Sequence, residues 1–164
     1  MSAYKYKHGL CVMRAQPFHI GHQKIIDKML QECELVTIAL GSIQESHTER
    51  NPFDYSTRRQ MIENVYQNSQ EFRRLNICGI SDINNPSKWG EHVLSCVKDY
   101  SPQNILPDVY YAGLEEDASL LKPCFSYTVI VDRNDKSFPY GDDDRHRSDL
   151  EDHEEDHAQL CDVV

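Results

Sequence analysis

The chain has 164 residues, 39% of them hydrophobic and 27% charged, with a formal net charge of −10. That length suits one domain with its own core, and no stretch of 18 consecutive apolar residues exists to cross a bilayer as a helix. The charge is local: from Asp142 onward ten acids face Arg145 and Arg147, a balance of −8, and the 17 acids and 15 bases of residues 1–141 leave −2, so the body lacks the basic face that nucleic acid calls for.

In chain order, Gly9–Met13 reads as a first strand, and Ile25, Ile26, Met29, Leu30 and Cys33 recur at helical spacing after it. Glu34–Gly41 reads as a second strand. Ser56 is placed to cap a helix reaching about Gln67, with Met61, Ile62, Val65 and Tyr66 inward. Leu75–Ile80 is a third strand, followed by a helix capped by Ser87 and presenting Trp89, Val93, Cys96 and Val97. Ile105–Ala112, broken by Pro107 so that the strand proper starts at Asp108, and Tyr127–Val131 complete the series. Alternating strands and helices predict a parallel sheet with right-handed crossovers and helices on both faces. Ligands of such sheets bind beyond the strand C-termini, here after Met13, Gly41, Ile80 and Ala112.

The start, Met1-Ser2-Ala3-Tyr4-Lys5, has no signal-peptide pattern, so a cytoplasmic protein is expected. The cysteines at 11, 33, 78, 96, 124 and 161 are too widely spaced for a zinc knuckle or a redox pair and are expected to be reduced and buried. Residues 1–138 are read as the folded domain and 139–164 as an acidic, disordered or weakly helical tail. His153 and His157 lie one helical turn apart in that tail, among acids, and are read as solvated, so no metal site is assigned.

Chemistry concentrates between the first strand and the first helix, in Arg14-Ala15-Gln16-Pro17-Phe18-His19-Ile20-Gly21-His22. Pro17 fixes the loop, Gly21 permits close approach, and a following helix offers N–H groups to an anion. Two imidazoles with Arg14 beside them suit a polyphosphate. This H-x-G-H pattern resembles the nucleotidyltransferase superfamily that includes class I aminoacyl-tRNA synthetases. That resemblance implies a Rossmann-like sheet, histidines that stabilise a pentavalent phosphate transition state, and no covalent intermediate.

After the second strand comes Gly41-Ser42-Ile43-Gln44-Glu45-Ser46-His47-Thr48-Glu49-Arg50-Asn51-Pro52-Phe53, with Arg58 following. This stretch resembles the archaeal-type nicotinamide-mononucleotide adenylyltransferases, which carry G-S-x-Q-x-S-H-[ST] and then N/D-P-F. Asp82, Trp89 and His92 meet the family's further offsets. The resemblance implies His19, His22, Arg14 and Arg50 as catalytic. It places Gln16, Pro17, Phe18, Gly21, Ser46, His47 and Gly113 at ATP, and Asp82, Trp89, Asn51 and Arg58 at the acceptor. Trp89 would stack on the nicotinamide ring, as an indole suits a pyridinium.

The activity implied is transfer of AMP from ATP, with Mg²⁺, to nicotinamide mononucleotide, giving NAD and pyrophosphate. The partners implied are these nucleotides, and the family's hexamers leave a homo-oligomer open. The chain departs from the family at Met13 and Ala15, at Leu114-Glu115-Glu116, and in lacking the S-x-T-x-[IV]-R motif that grips the outer phosphates. Two alternatives therefore stand beside the first reading. One is a nucleotide-binding pseudoenzyme or regulator without that grip. The other is a nucleotidyltransferase with another acceptor, as in cytidylyltransferases or phosphopantetheine adenylyltransferases.

Overall fold

The structure, a computed structural model, describes residues 3–131. Five strands form one parallel sheet: β1 (Tyr6–Met13), β2 (Cys33–Leu40), β3 (Leu75–Gly79), β4 (Val109–Ala112) and β5 (Tyr127–Ile130). Their order is β3-β2-β1-β4-β5. The chain therefore runs outward from β1 to β3 and returns to the other side of β1 at β4. Between β1 and β4 the connections diverge, which opens a crevice at the strand C-termini.

Helices α1 (Ile20–Glu32), α2 (Tyr55–Tyr66), α3 (Trp89–Tyr100) and the short α4 (Glu115–Ala118) supply the two covering layers. Alternation along the strands divides the core. Cys11, Ile38, Ile77 and Tyr111 face one way and pack with Ile25, Ile26, Met29 and Ile62 of α1 and α2. Leu10, Ala39, Cys78 and Tyr110 face the other way, with Val93 and Val97 of α3 and Ala118 of α4. The central strand is thus apolar on both faces, as a covered parallel sheet demands.

Gly9 leaves room for side chains of its neighbours: a Cβ there would lie 2.7 Å from Cys33 Sγ of β2, 3.3 Å from a Tyr111 ring carbon of β4 and 3.4 Å from Met29 Cε of α1.

The sequence reading held for element order and shifted at boundaries and caps. Asp54, not Ser56, caps α2: its carboxylate accepts from Thr57 N–H at 2.7 Å. A carboxylate is at least as good an N-cap as a hydroxyl. The inner face of α2 carries Arg58, Ile62 and Tyr66, with Arg58 at 0% exposure, and Val65 is outside at 44%. Ser87 caps nothing: its hydroxyl donates to Asn85 Oδ1, and a 3-10 turn (Pro86–Lys88) leads into α3 without a side-chain cap. β1 starts earlier than expected, at Tyr6, and β4 starts at Val109.

The cysteines described are all free, and Cys11, Cys33 and Cys78 are buried. Burial pushes the Cys33 thiol up to about 11 and the Cys78 thiol up to about 12, so both stay protonated. Cys124 is exposed and Cys96 half-buried, against the expectation of burial, because the outer faces of α3 and the Lys122–Cys124 turn meet solvent. Cys161, His153, His157 and the acidic segment 139–164 lie outside the described residues.

Candidate functional site

The loop after β1 carries the first cluster. His19 is the N-cap of α1, and its Nδ1 accepts the Gly21 N–H at 3.1 Å. His22 Nδ1 in turn accepts the His19 N–H at 3.2 Å, closing a reciprocal capping box made of two histidines. The rings stack, with centroids 3.8 Å apart and planes 27° apart, and Phe18 stacks on the outer face of His22 at 5.8 Å. Each Nδ1 contributes its lone pair to a backbone N–H. In the neutral ring the proton then resides on Nε2. The local fold thus turns two imidazoles into two Nε2–H donors of fixed tautomer.

This corrects one expectation: the Gly21 and His19 amides are already used by the histidines, so an anion here meets imidazole donors in their place. What remains of the helix terminus is its positive macrodipole end.

Arg14, in the same loop, is buried, and its Nη2 donates to Asn51 Oδ1 at 2.5 Å. Asn51, itself 1% exposed, donates from Nδ2 to Glu45 Oε2 at 2.6 Å and from its backbone to Thr48 Oγ1. Gln16 ties the same two loops together: its amide donates to the Phe53 carbonyl and accepts the Phe53 N–H, both at 2.9 Å. Pro17 and Phe18 are half-buried and Gly21 is buried beside them. Ala15, Ser42 and His47 have φ of 51°, 53° and 57°, so the site loops hold three side-chain-bearing residues in the left-handed region.

Beyond β2, the loop from Ser42 leaves His47 exposed and Ser46 and Arg50 half-buried. Ser42 Oγ and Gln44 Nε2 both donate to Asp82 Oδ2, at 2.7 and 2.9 Å, joining this loop to the one after β3. Gly113 directly follows β4 and is half-buried. His19, His22, Arg14, Asn51, Gln16, Asp82 and Gly113 therefore all stand at the C-terminal rim of the sheet.

Three residues expected at the acceptor are enclosed by protein: Asn51, at 1% exposure, Arg58 and Trp89. Arg58 has no exposed surface; its Nη1 donates to the carbonyls of Arg14 at 2.8 Å and Gly41 at 2.7 Å, and its Nε to the Asp54 carbonyl. It clamps the ends of β1 and β2, so its charge supports the loops from beneath. Burial, and then the neighbouring Arg14, draw its pKa below the ordinary arginine value. Trp89 is 5% exposed and packs in the core with Val93, Val97 and Leu121. A large apolar ring at the first turn of α3 gains more by joining that core than by facing a cleft. Its neighbour His92 lies 5.7 Å away and is held by the Ser81 carbonyl at 2.8 Å.

The sequence reading passed over Glu45, Ser42 and Gln44. All three lie within the stretch it singled out, but Glu45 occupies a position that the motif leaves variable. Among the described residues, no three His, Cys, Asp or Glu side chains gather to hold a metal ion, and no helix is long and apolar enough to cross a membrane.

A parallel sheet with its crevice at the switch between β1 and β4, and stacked histidine donors beside an arginine at that crevice, defines a nucleotidyltransferase-type domain. The chain belongs to the Cytidylyltransferase-like family, which it matches over residues 11–139. Among curated relatives, nicotinamide-nucleotide adenylyltransferase of Thermococcus onnurineus is 34% identical over 125 residues, 76% of this chain and 63% of the relative. The protein of the same description from Thermoplasma volcanium is 34% identical over 93 residues, 57% of this chain and 52% of the relative. The chain thus spans about half to two-thirds of the length of these relatives.

Among solved structures, a bifunctional NMN adenylyltransferase/ADP ribose pyrophosphatase from Francisella tularensis superposes with a TM-score of 0.68 at 24% identity. The match covers 87% of this chain and 42% of that one. A form of that enzyme complexed with AMP and a manganese ion gives 0.67 at 25% identity, covering 80% of this chain and 38% of that one. The expected Rossmann-like nucleotidyltransferase fold is the one observed.

Proposed function

We propose that this chain transfers AMP from ATP to nicotinamide mononucleotide, releasing NAD and pyrophosphate. The observation that carries the reading is the stacked pair His19 and His22, each ring with its Nδ1 committed to a backbone N–H at the head of α1. The relatives described as nicotinamide-nucleotide adenylyltransferases support the choice of acceptor.

The chemistry follows from the donors. The 5′-phosphate oxygen of the mononucleotide attacks the α-phosphorus of ATP in line. A new P–O bond forms as the bond to the β-phosphate oxygen breaks, and pyrophosphate leaves with that electron pair. The nucleophile is already anionic at neutral pH, so a general base is not needed. Charge grows on the phosphoryl oxygens, where Nε2–H groups of His19 and His22 and the Arg14 guanidinium offer preorganised donors.

Arg50, Ser46, His47, Gln16, Pro17, Phe18, Gly21 and Gly113 are proposed to line the ATP side, with Gln16 acting by holding the Phe53 segment in place. Asp82 and Asn51 are proposed to serve the acceptor side. Arg58 and Trp89 are proposed to support it through packing. ATP enters as its magnesium complex, the cation held by the triphosphate oxygens and shielding the leaving group. A small-molecule reaction on a domain of this kind is consistent with a cytoplasmic protein.

Purified protein given ATP, Mg²⁺ and nicotinamide mononucleotide is expected to form NAD, and the His19→Ala/His22→Ala variant is expected to form none at equal concentration. ATP binding without NAD or pyrophosphate release in the parent would replace this reading with a nucleotide-binding regulator. Turnover with another phosphate acceptor alone would keep the fold chemistry and change the substrate.

A further inference from the structure

Arg14 lies in the same loop as the stacked histidines and is buried. Its Nη2 donates to the neutral amide oxygen of Asn51 at 2.5 Å. An amide can present either its oxygen or its nitrogen to a neighbour, and only the oxygen suits a guanidinium. What fixes the choice is Glu45: its Oε2 accepts the Asn51 Nδ2–H at 2.6 Å, which turns Oδ1 toward Arg14. Asn51 is 1% exposed and Glu45 reaches it from the exposed side of the loop. The Asn51 and Glu45 backbones are themselves pinned, by Thr48 Oγ1 at 2.9 Å and the Ser42 carbonyl at 3.3 Å.

We propose that Glu45 is a positioning residue that acts through the Asn51 amide on Arg14, a carboxylate–amide–guanidinium relay that sets the orientation of the phosphate-facing arginine. The carboxylate polarises the amide, which strengthens the acceptor at its far end. In its kinetic part this inference rests on the nucleotidyl-transfer reading.

The relay predicts a specific pattern among Glu45→Ala, Asn51→Asp and the double variant. Glu45→Ala is expected to lower kcat about tenfold, the scale of one charge-assisted hydrogen bond, with KM for the mononucleotide within about twofold of the parent. Asn51→Asp alone sets two carboxylates against each other at the present 2.6 Å contact and is expected to be impaired as well. Together the two changes place one carboxylate directly on Arg14, and kcat is expected to recover to within about threefold of the parent.

Parental kcat in Glu45→Ala, or a double variant no better than Glu45→Ala, would overturn the relay. If the parent forms no NAD, the nucleotidyl-transfer reading fails by itself and the relay is judged by side-chain NMR. Glu45→Ala is then expected to move both the Asn51 amide protons and the Arg14 guanidinium signals. An unmoved Arg14 would overturn it.

Discussion

At the scale of single residues, the same atom often serves the fold and the chemistry at once. His19 and His22 each commit Nδ1 to capping α1, and the commitment decides which nitrogen carries the proton. His22→Ala is therefore expected to lower kcat by ~10²–10³, the usual cost of one aimed donor, while KM for ATP changes little. Steady-state kinetics with both substrates varied checks this, and parental turnover would remove His22 from the mechanism. His8 is a histidine of a different kind, fully buried in β1 with Nδ1 2.7 Å from the Ile105 carbonyl and Nε2 2.7 Å from Thr37 Oγ1. Burial lowers its pKa below the ordinary 6.5, against the smaller opposing pull of the Ile105 bond and Asp108. The folded chain then binds this proton less readily than the unfolded chain, so stability from this site is full above 6.5 and is lost as pH falls below it. Urea unfolding at pH 8 and pH 5.5 is expected to show that loss, and His8→Asn to reduce the difference between the two.

At the scale of elements, the loops at the strand ends are held by groups that come from elsewhere in the chain. Arg58 of α2 donates to the carbonyls that end β1 and β2, and Gln16 binds both backbone groups of Phe53. Arg58→Met leaves buried carbonyls unpaired at Arg14 and Gly41, each worth about 1–3 kcal/mol. Relief of the charge repulsion with Arg14 offsets part of this, so a net loss of roughly 2 kcal/mol is expected in urea unfolding. Parental stability would show that the clamp is dispensable. Gln16→Ala is expected to behave differently, with a stability change of about 1 kcal/mol or less and faster amide exchange at Phe53. Hydrogen-exchange mass spectrometry of the 45–54 segment separates these two effects.

At the scale of the whole molecule, two core clusters among the described residues draw on residues 10–131. Residues 1–138 are proposed to be the folding unit. A chain shortened to residues 1–138 is expected to unfold within about 0.5 kcal/mol of the full chain, as changes outside a core do. A much larger loss would make the acidic segment part of the domain. The convergence of β2, β4 and α1 on Gly9 is a second whole-molecule feature. Gly9→Ala is expected to cost about 1–3 kcal/mol, because Cys33, Tyr111 and Met29 crowd the added methyl group from three elements at once. Thermal unfolding checks it.

The sequence by itself determined the order of strands and helices, the parallel sheet and the loops that hold the site. These follow from local patterns: apolar strand runs, helical periodicity, and His19, Gly21 and His22 at a strand–helix junction. Tertiary structure decided what each side chain does there. Trp89 shares the apolar helical face of Val93 and Val97 along the chain and is buried with them, whereas the burial of Arg58 depends on how α2 packs against the sheet, which no local pattern fixes. Glu45 reads as a variable loop residue, and only the folding of residues 42–54 back onto Arg14 links the Glu45–Asn51 pair to the arginine. The cap of α2 moved from Ser56 to Asp54 for the same reason, since several residues can start a helix and the packing of its inner face selects one. Short-range periodicity is written in neighbouring residues, whereas hydrogen bonds between residues 37 or more positions apart, such as Arg14–Asn51 and Ser42–Asp82, exist only once the loops have been brought together.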